Sequence, residues 1–136
     1  MKSFNEIFQP KKDKRMPTVL IVDDNPQVIK VVRSHVKAMR PDALVITAKQ
    51  GRSALQIVSL LDIDLIITDF EMPIMDGVKL SEEVKKHRPT LTVILTSGRG
   101  EPKNHKADAF VKKPILREDL TTTIISVRSA KKPKRA

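Results

Sequence analysis

The chain has no cysteine, no tryptophan and no tyrosine, and only four glycines among its 136 residues. Without cysteine, disulfides, thiolate zinc sites and cysteine nucleophiles are excluded. Four phenylalanines are the only aromatics, so platforms for stacking nucleotide bases are nearly absent. No apolar run approaches the roughly 20 residues of a membrane-crossing helix. Nor is there a signal peptide. The basic stretch Lys11 to Arg15 is followed only by Thr18-Val19-Leu20-Ile21-Val22 before Asp23 and Asp24 interrupt, too short an apolar region for export. The chain is expected to be cytoplasmic, with no membrane partner.

Its hydrophobic content of 40% is ordinary for a soluble domain, and the length suits one domain with a real core. The net charge of +10 is uneven: residues 1–15 carry +3 and residues 129–136 carry +4. A nucleic-acid surface would place basic side chains on the folded body, with aromatics or a recognition helix. The charged ends instead read as solvated tails, and binding of nucleic acid through Lys131-Lys132-Pro133-Lys134-Arg135 ranks last among the readings. Three regions follow: an extension over 1–16, a folded domain over 17–128, and a basic tail over 129–136. The extension holds one small signal. Ser3 and Glu6 fit a capping box, and Phe4, Ile7 and Phe8 share one helical face before Pro10 ends the turn.

Beyond the extension, apolar strands alternate with amphipathic helices. Residues 18–22 form a continuous apolar strand, as expected where both faces are covered. Pro26 suits the first turn of a helix carrying Val28, Ile29, Val32, Val36 and Met39, which ends near Arg40-Pro41. Strands are expected at 44–48, 65–68, 91–95 and 109–111. Helices are expected from Gly51, carrying Ala54, Leu55, Val58 and Leu61, and over 78–87 and 118–128, the last with Leu120, Ile124 and Val127 inward. This alternation predicts an α/β fold with a doubly wound parallel sheet and helices on both faces. Ligands of such sheets bind outside the carboxyl ends of the strands.

Polar residues collect at those ends. Asp69 closes Leu65-Ile66-Ile67-Thr68-Asp69 and precedes the turn Phe70-Glu71-Met72-Pro73-Ile74-Met75-Asp76-Gly77. Asp23 and Asp24 follow the first strand, Thr96 the fourth, and Lys113 the fifth. Converging carboxylates raise one another's pKa. A hard divalent cation relieves this, and oxygen-only ligands point to Mg²⁺ rather than zinc. Lys113 adds a compact positive charge for an anion, and Thr96 a hydroxyl donor. Such a set suits phosphoryl transfer, with a carboxylate able to act as nucleophile. Taken singly, the same residues have plainer readings. Asp23-Asp24-Asn25-Pro26 could be only a helix cap, Asp76-Gly77 only a turn with Gly77 at positive φ, and Phe110 only core. His35, His87 and His105 fit no ligand spacing and read as bystanders.

Five elements in order resemble a response-regulator receiver domain, over about residues 17–128. They are Asp23-Asp24, Asp69-x-x-Met72-Pro73-x-x-Asp76-Gly77, Thr96-Ser97-Gly98, Phe110 and Lys113-Pro114. The resemblance implies a flavodoxin-like five-stranded sheet of order 2-1-3-4-5. It implies that Asp69 accepts a phosphoryl group from a histidine kinase or phosphotransfer protein. Mg²⁺ would be held by Asp23, Asp24, Asp69 and the backbone carbonyl of Glu71. Thr96 and Phe110 would be switch residues, Lys113 the ion-pair partner of the phosphoryl group, and Lys113-Pro114 a cis peptide. The chain would then be a signalling phosphoacceptor, catalysing only its own phosphorylation and hydrolysis. It would act on a downstream protein target as a monomer or weak dimer.

One departure stands out. Thirteen residues separate Thr96 from Phe110, fewer than the family pattern has there. The fourth helix is therefore expected to be missing, or shortened to about residues 101–105, because Gly98, Gly100 and Pro102 disfavour a longer one. The face it helps form commonly carries output, so a receiver-like scaffold independent of phosphorylation stays open. So does a relay intermediate or a fragment of a larger regulator, although Met1 and the short tail favour a stand-alone chain. A dehalogenase-type phosphatase would place Asp-x-Asp after the first strand, and a nucleotide binder would need a glycine-rich loop there. Neither is present.

Overall fold

The computed structural model describes residues 16–131, so the turn expected around Phe4, Ile7 and Phe8 lies outside the described residues, as do residues 132–136. Five aliphatic, β-branched runs form the strands β1 (Thr18–Val22), β2 (Leu44–Ala48), β3 (Leu65–Asp69), β4 (Thr92–Ser97) and β5 (Ala109–Lys112). Between and after them run α1 (Pro26–Met39), α2 (Gly51–Leu60), α3 (Gly77–His87) and α4 (Arg117–Lys131). All strand pairs are parallel, and the order is β2-β1-β3-β4-β5. This is the expected doubly wound, flavodoxin-like arrangement, with β1 and β3 meeting where strand order reverses. No helix among the described residues is long and apolar enough to cross a membrane.

The period of two along each strand divides the core in two. Val19 and Ile21 of β1 join Ile67, Ile94 and Val111 against Val32 and Val36 of α1 and Leu120 and Ile124 of α4. Leu20 and Val22 turn to the opposite face, where Ile66 and Val93 meet Ala54 and Val58 of α2 and Leu80 and Val84 of α3. Each fully buried aliphatic side chain contributes about 1.5–3 kcal/mol, which is why the central strands tolerate polar residues only at their ends. The helices start where the sequence offers caps. The Asn25 side chain accepts from the Gln27 backbone N–H at 2.9 Å, with Pro26 first in α1. The Asp76 side chain accepts from the Lys79 backbone N–H at 2.8 Å and opens α3.

One expectation is met and another needs correcting. Residues 101–105 form no helix, so of the two alternatives, missing or shortened, the element between β4 and β5 is missing. Gly100 (φ 99°) and Asn104 (φ 57°) both adopt left-handed backbone conformations, and Pro102 lacks a backbone donor, so an α-helical ladder cannot run through the segment. Leu61, expected on the inner face of α2, lies past the helix end and is 45% exposed, beside Leu60 at 81%.

Candidate functional site

Because all five strands point the same way, their carboxyl ends share one edge. The side chains of Asp23, Asp24 and Asp69 meet there, with one oxygen of each within 4.8 Å of the others. Asp23 and Asp69 are buried, at 2% and 4% exposure, whereas Asp24 is exposed. Lys113 follows β5 and bridges the buried pair, its Nζ lying 2.9 Å from Asp23 Oδ2 and 3.1 Å from Asp69 Oδ1. The other Asp23 oxygen accepts from the Asn25 backbone N–H at 2.9 Å. Thr96 is register partner to Asp69, is buried, and donates its hydroxyl to the Thr68 carbonyl across a long 3.4 Å. The Lys113–Pro114 peptide is cis, and the Lys113 backbone N–H donates to the Ser97 carbonyl at 2.9 Å.

Burial pushes the Asp69 carboxyl above its ordinary range, and the charge of Asp23 adds to the rise. Hydrogen bonds from Lys113 and the Glu71 backbone N–H oppose the shift without cancelling it. For Lys113 burial works against the charge, but its hydrogen bonds to Asp23 and Asp69 outweigh that and hold the ammonium above the usual lysine value. A carboxylate of raised basicity beside a firmly charged amine combines a nucleophile with an anion partner.

The loop after β3 fixes Asp69 from behind. Gly77 is not at positive φ, contrary to expectation. A Cβ there would lie 2.2 Å from the Asp69 carbonyl oxygen and 2.7 Å from Leu95 Cδ1. The glycine is thus required by a close approach of α3 to the strand end. Positive φ falls instead on Ile74 (71°), whose side chain is fully exposed. That is an expensive conformation for a β-branched residue. A second contact was missing from the sequence reading. Glu71 accepts from Ser97 Oγ at 3.3 Å and pairs with Arg99 Nε at 3.3 Å, so one side chain ties the β3 loop to the β4 loop beside Asp69. Only an acid two residues after Asp69 and a base three after Thr96 could have hinted at it.

The remaining candidates lie apart from the carboxylates. Phe110 is half-buried on the edge strand, in register with Leu95. His35 Nε2 lies 2.8 Å from the Ile115 carbonyl, and His105 Nε2 lies 2.7 Å from Glu101 Oε2. Neither reaches the acid cluster. Three carboxylates converging with no nitrogen or sulfur donor suit a hard cation such as Mg²⁺.

A family model described as the response regulator receiver domain matches residues 19–125. Among curated proteins, the chain is 35% identical over 79 residues to a protein-glutamate methylesterase/protein-glutamine glutaminase of Methanococcus maripaludis, covering 58% of this chain and 22% of that protein. It is 29% identical over 112 residues to the transcriptional regulatory protein GlrR of Escherichia coli, covering 78% of this chain and 25% of that protein. The chain thus spans a quarter or less of either relative. Among solved structures, it is similar to the signal receiver domain of a histidine kinase from Syntrophus aciditrophicus, with TM-score 0.76, 27% identity, and 88% and 96% of the two chains covered. It is also similar to TrrA of Thermotoga maritima in complex with Mg²⁺ and BeF, with TM-score 0.73, 25% identity, and 82% and 99% covered.

Proposed function

Because the chain belongs to the response regulator receiver domain family, we propose that it is a phosphoacceptor of two-component signalling. A histidine kinase or a phosphotransfer protein would donate the phosphoryl group to Asp69. The observation that carries this reading is the Lys113 ammonium held between two buried carboxylates, 2.9 Å from Asp23 and 3.1 Å from Asp69. An amine so placed neutralises an acid cluster at rest and is already in position for phosphoryl oxygens.

An Asp69 carboxylate oxygen attacks phosphorus as the N–P bond of the phosphohistidine breaks. The imidazole leaves with the bonding electron pair and takes up a proton. Asp23, Asp24, Asp69 and the Glu71 backbone carbonyl would hold Mg²⁺, which supplies charge neutralisation at the phosphoryl oxygens. Lys113 orients the acceptor before transfer and pairs with the transferred group afterwards. The Thr96 hydroxyl, held by a long contact to the Thr68 carbonyl, turns to the new oxygens. That movement is next to Phe110, since Thr96 and Leu95 pair with Val111 and Phe110 across the β4–β5 ladder. Phe110 and the β4–β5 edge thereby present the change to a downstream protein.

The test is intact mass after incubation with a small phosphodonor and Mg²⁺, beside Asp69→Asn. A hydroxylamine-labile gain of one phosphoryl group in the wild type alone supports the reading. No gain, with the fold and Mg²⁺ binding intact, would replace it with a scaffold that works without phosphorylation.

A further inference from the structure

We propose that His35 is a positioning residue that holds the Lys113 ammonium in the acid cluster without itself touching the reacting groups. The proposal deepens the acceptor reading of Asp69 and rests on it. His35 lies on α1, the helix that begins three residues after Asp23. Its Nε2 is 2.8 Å from the backbone carbonyl of Ile115, 80 residues away in sequence. A carbonyl oxygen can only accept, so Nε2 carries the hydrogen and donates. The bond joins α1 to residues 113–116, the short chain between β5 and α4 that begins with Lys113.

That chain is fixed at several points. The Lys113 backbone N–H donates to the Ser97 carbonyl at 2.9 Å, and the Leu120 N–H to the Leu116 carbonyl at 3.0 Å. The Ile115 side chain is 6% exposed and joins the core that holds Val32 and Val36 of α1. His35 adds a hold on the carbonyl of the same residue. From this segment the Lys113 amine reaches Asp23 at 2.9 Å and Asp69 at 3.1 Å. A lysine amine rides on a flexible four-carbon stem, so where it rests depends on where its backbone is held. The arrangement also has a cost. His35 Nδ1 is buried and has no hydrogen-bond partner among the described residues, and an unpaired buried polar atom is destabilising. An apolar side chain of similar size, beside the stripe of Val32, Val36 and Met39, would carry no such atom but could not donate to Ile115. The imidazole is explained by the bond it makes, and the bond by the amine it helps to place. A misplacement of about 1 Å, even by a change far from the reacting atoms, slows a reaction by up to about a hundredfold.

Labelling of the full chain by acetyl phosphate with Mg²⁺ is followed by intact mass for wild type, His35→Leu, His35→Asn and His35→Gln. The glutamine amide nitrogen reaches about as far as imidazole Nε2 and can donate to Ile115, whereas that of asparagine stops near the depth of Nδ1. His35→Leu and His35→Asn should slow labelling on the order of tenfold, and His35→Gln should label at close to the wild-type rate. In a Lys113→Met background, His35→Leu should change the rate by less than about twofold, because the amine it positions is gone. Equal losses in the two backgrounds would overturn the proposal, as would glutamine as slow as leucine, or wild-type rates in His35→Leu. If the wild type takes no phosphoryl group, the acceptor reading fails by itself, and urea midpoints in EDTA decide the role of His35. Lys113→Met should then lower the midpoint less in the His35→Leu chain than in wild type. Additive shifts would overturn the positioning role as well.

Discussion

Lys113→Met tests what holds the acid cluster together. In the wild type the ammonium sits within 3.1 Å of both Asp23 and Asp69, which are 2% and 4% exposed. Without it, two buried carboxylates within 4.8 Å of each other have no amine between them. At an effective dielectric constant of about 20, their repulsion at that separation is about 3–4 kcal/mol. Breaking a buried ion pair from one side costs about 3–5 kcal/mol. Two effects reduce this. The Lys113 side chain is 22% exposed, so part of its attraction is already screened, and Asp69, already raised by burial, can take up a proton. We expect a loss of about 2–4 kcal/mol at pH 7.5 in EDTA, or about 8–16 °C in Tm. The sign with pH follows from the raised carboxyl. Its protonated form is favoured in the folded state, so the deficit is small at low pH and grows as pH rises through the folded value. Urea titrations at pH 5 and pH 7.5 measure it. Saturating Mg²⁺ should restore more stability to the variant than it adds to the wild type. Equal midpoints for variant and wild type at pH 7.5 without metal would refute the reasoning.

Asp69→Asn should abolish acceptor labelling and at the same time raise metal-free stability at neutral pH, because burial disfavours the charge. A lower melting temperature at pH 7.5 would count against that balance. Gly77→Ala sets a helix-propensity gain of up to about 1 kcal/mol against a Cβ 2.2 Å from the Asp69 carbonyl oxygen. The clash should win by about 2 kcal/mol and slow Asp69 labelling, and a variant as stable as wild type would show that α3 can shift freely. Asp76→Ala removes the cap that accepts from the Lys79 N–H and should cost about 1 kcal/mol, read by thermal melts, with labelling retained. Arg99→Ala, at 85% side-chain exposure, should cost less than about 1 kcal/mol while altering the labelling rate through Glu71. An unchanged rate would mean that the Glu71–Arg99 pair plays no part at the site.

The parallel sheet and the acid cluster were legible in the sequence because both follow from periodicity, whereas the strand order came from the resemblance to receiver domains. Apolar runs ending in Asp23, Asp69 and Thr96 place polar groups at strand ends, and parallel topology gathers those ends on one edge. Side-chain contacts between loops were not legible. Glu71 meets Ser97 and Arg99 only because the β3 and β4 loops are adjacent in space, and no local pattern encodes that. Gly77 was misread for a related reason. A glycine after aspartate suggests a turn, whereas its missing side chain is needed by the Asp69 carbonyl that α3 packs against. Leu61 failed at a boundary, since helical spacing continued one residue past the last turn of α2.

The missing helix between β4 and β5 changes how force could pass through the molecule. A helix over that span would be a strut, a stiff rod joining the Thr96 end of the sheet to the far end of β5. The segment present here takes left-handed conformations at Gly100 and Asn104 and has no helical ladder to stiffen it. Toward the edge of the sheet, Thr96 is joined by the backbone ladder that pairs it with Val111 and Ser97 with Lys112. That route ends at the exposed edge of the sheet within two residues of Lys113. The hydrogen-bonded edge strand and the amine that pairs with Asp69 are therefore almost the same piece of chain.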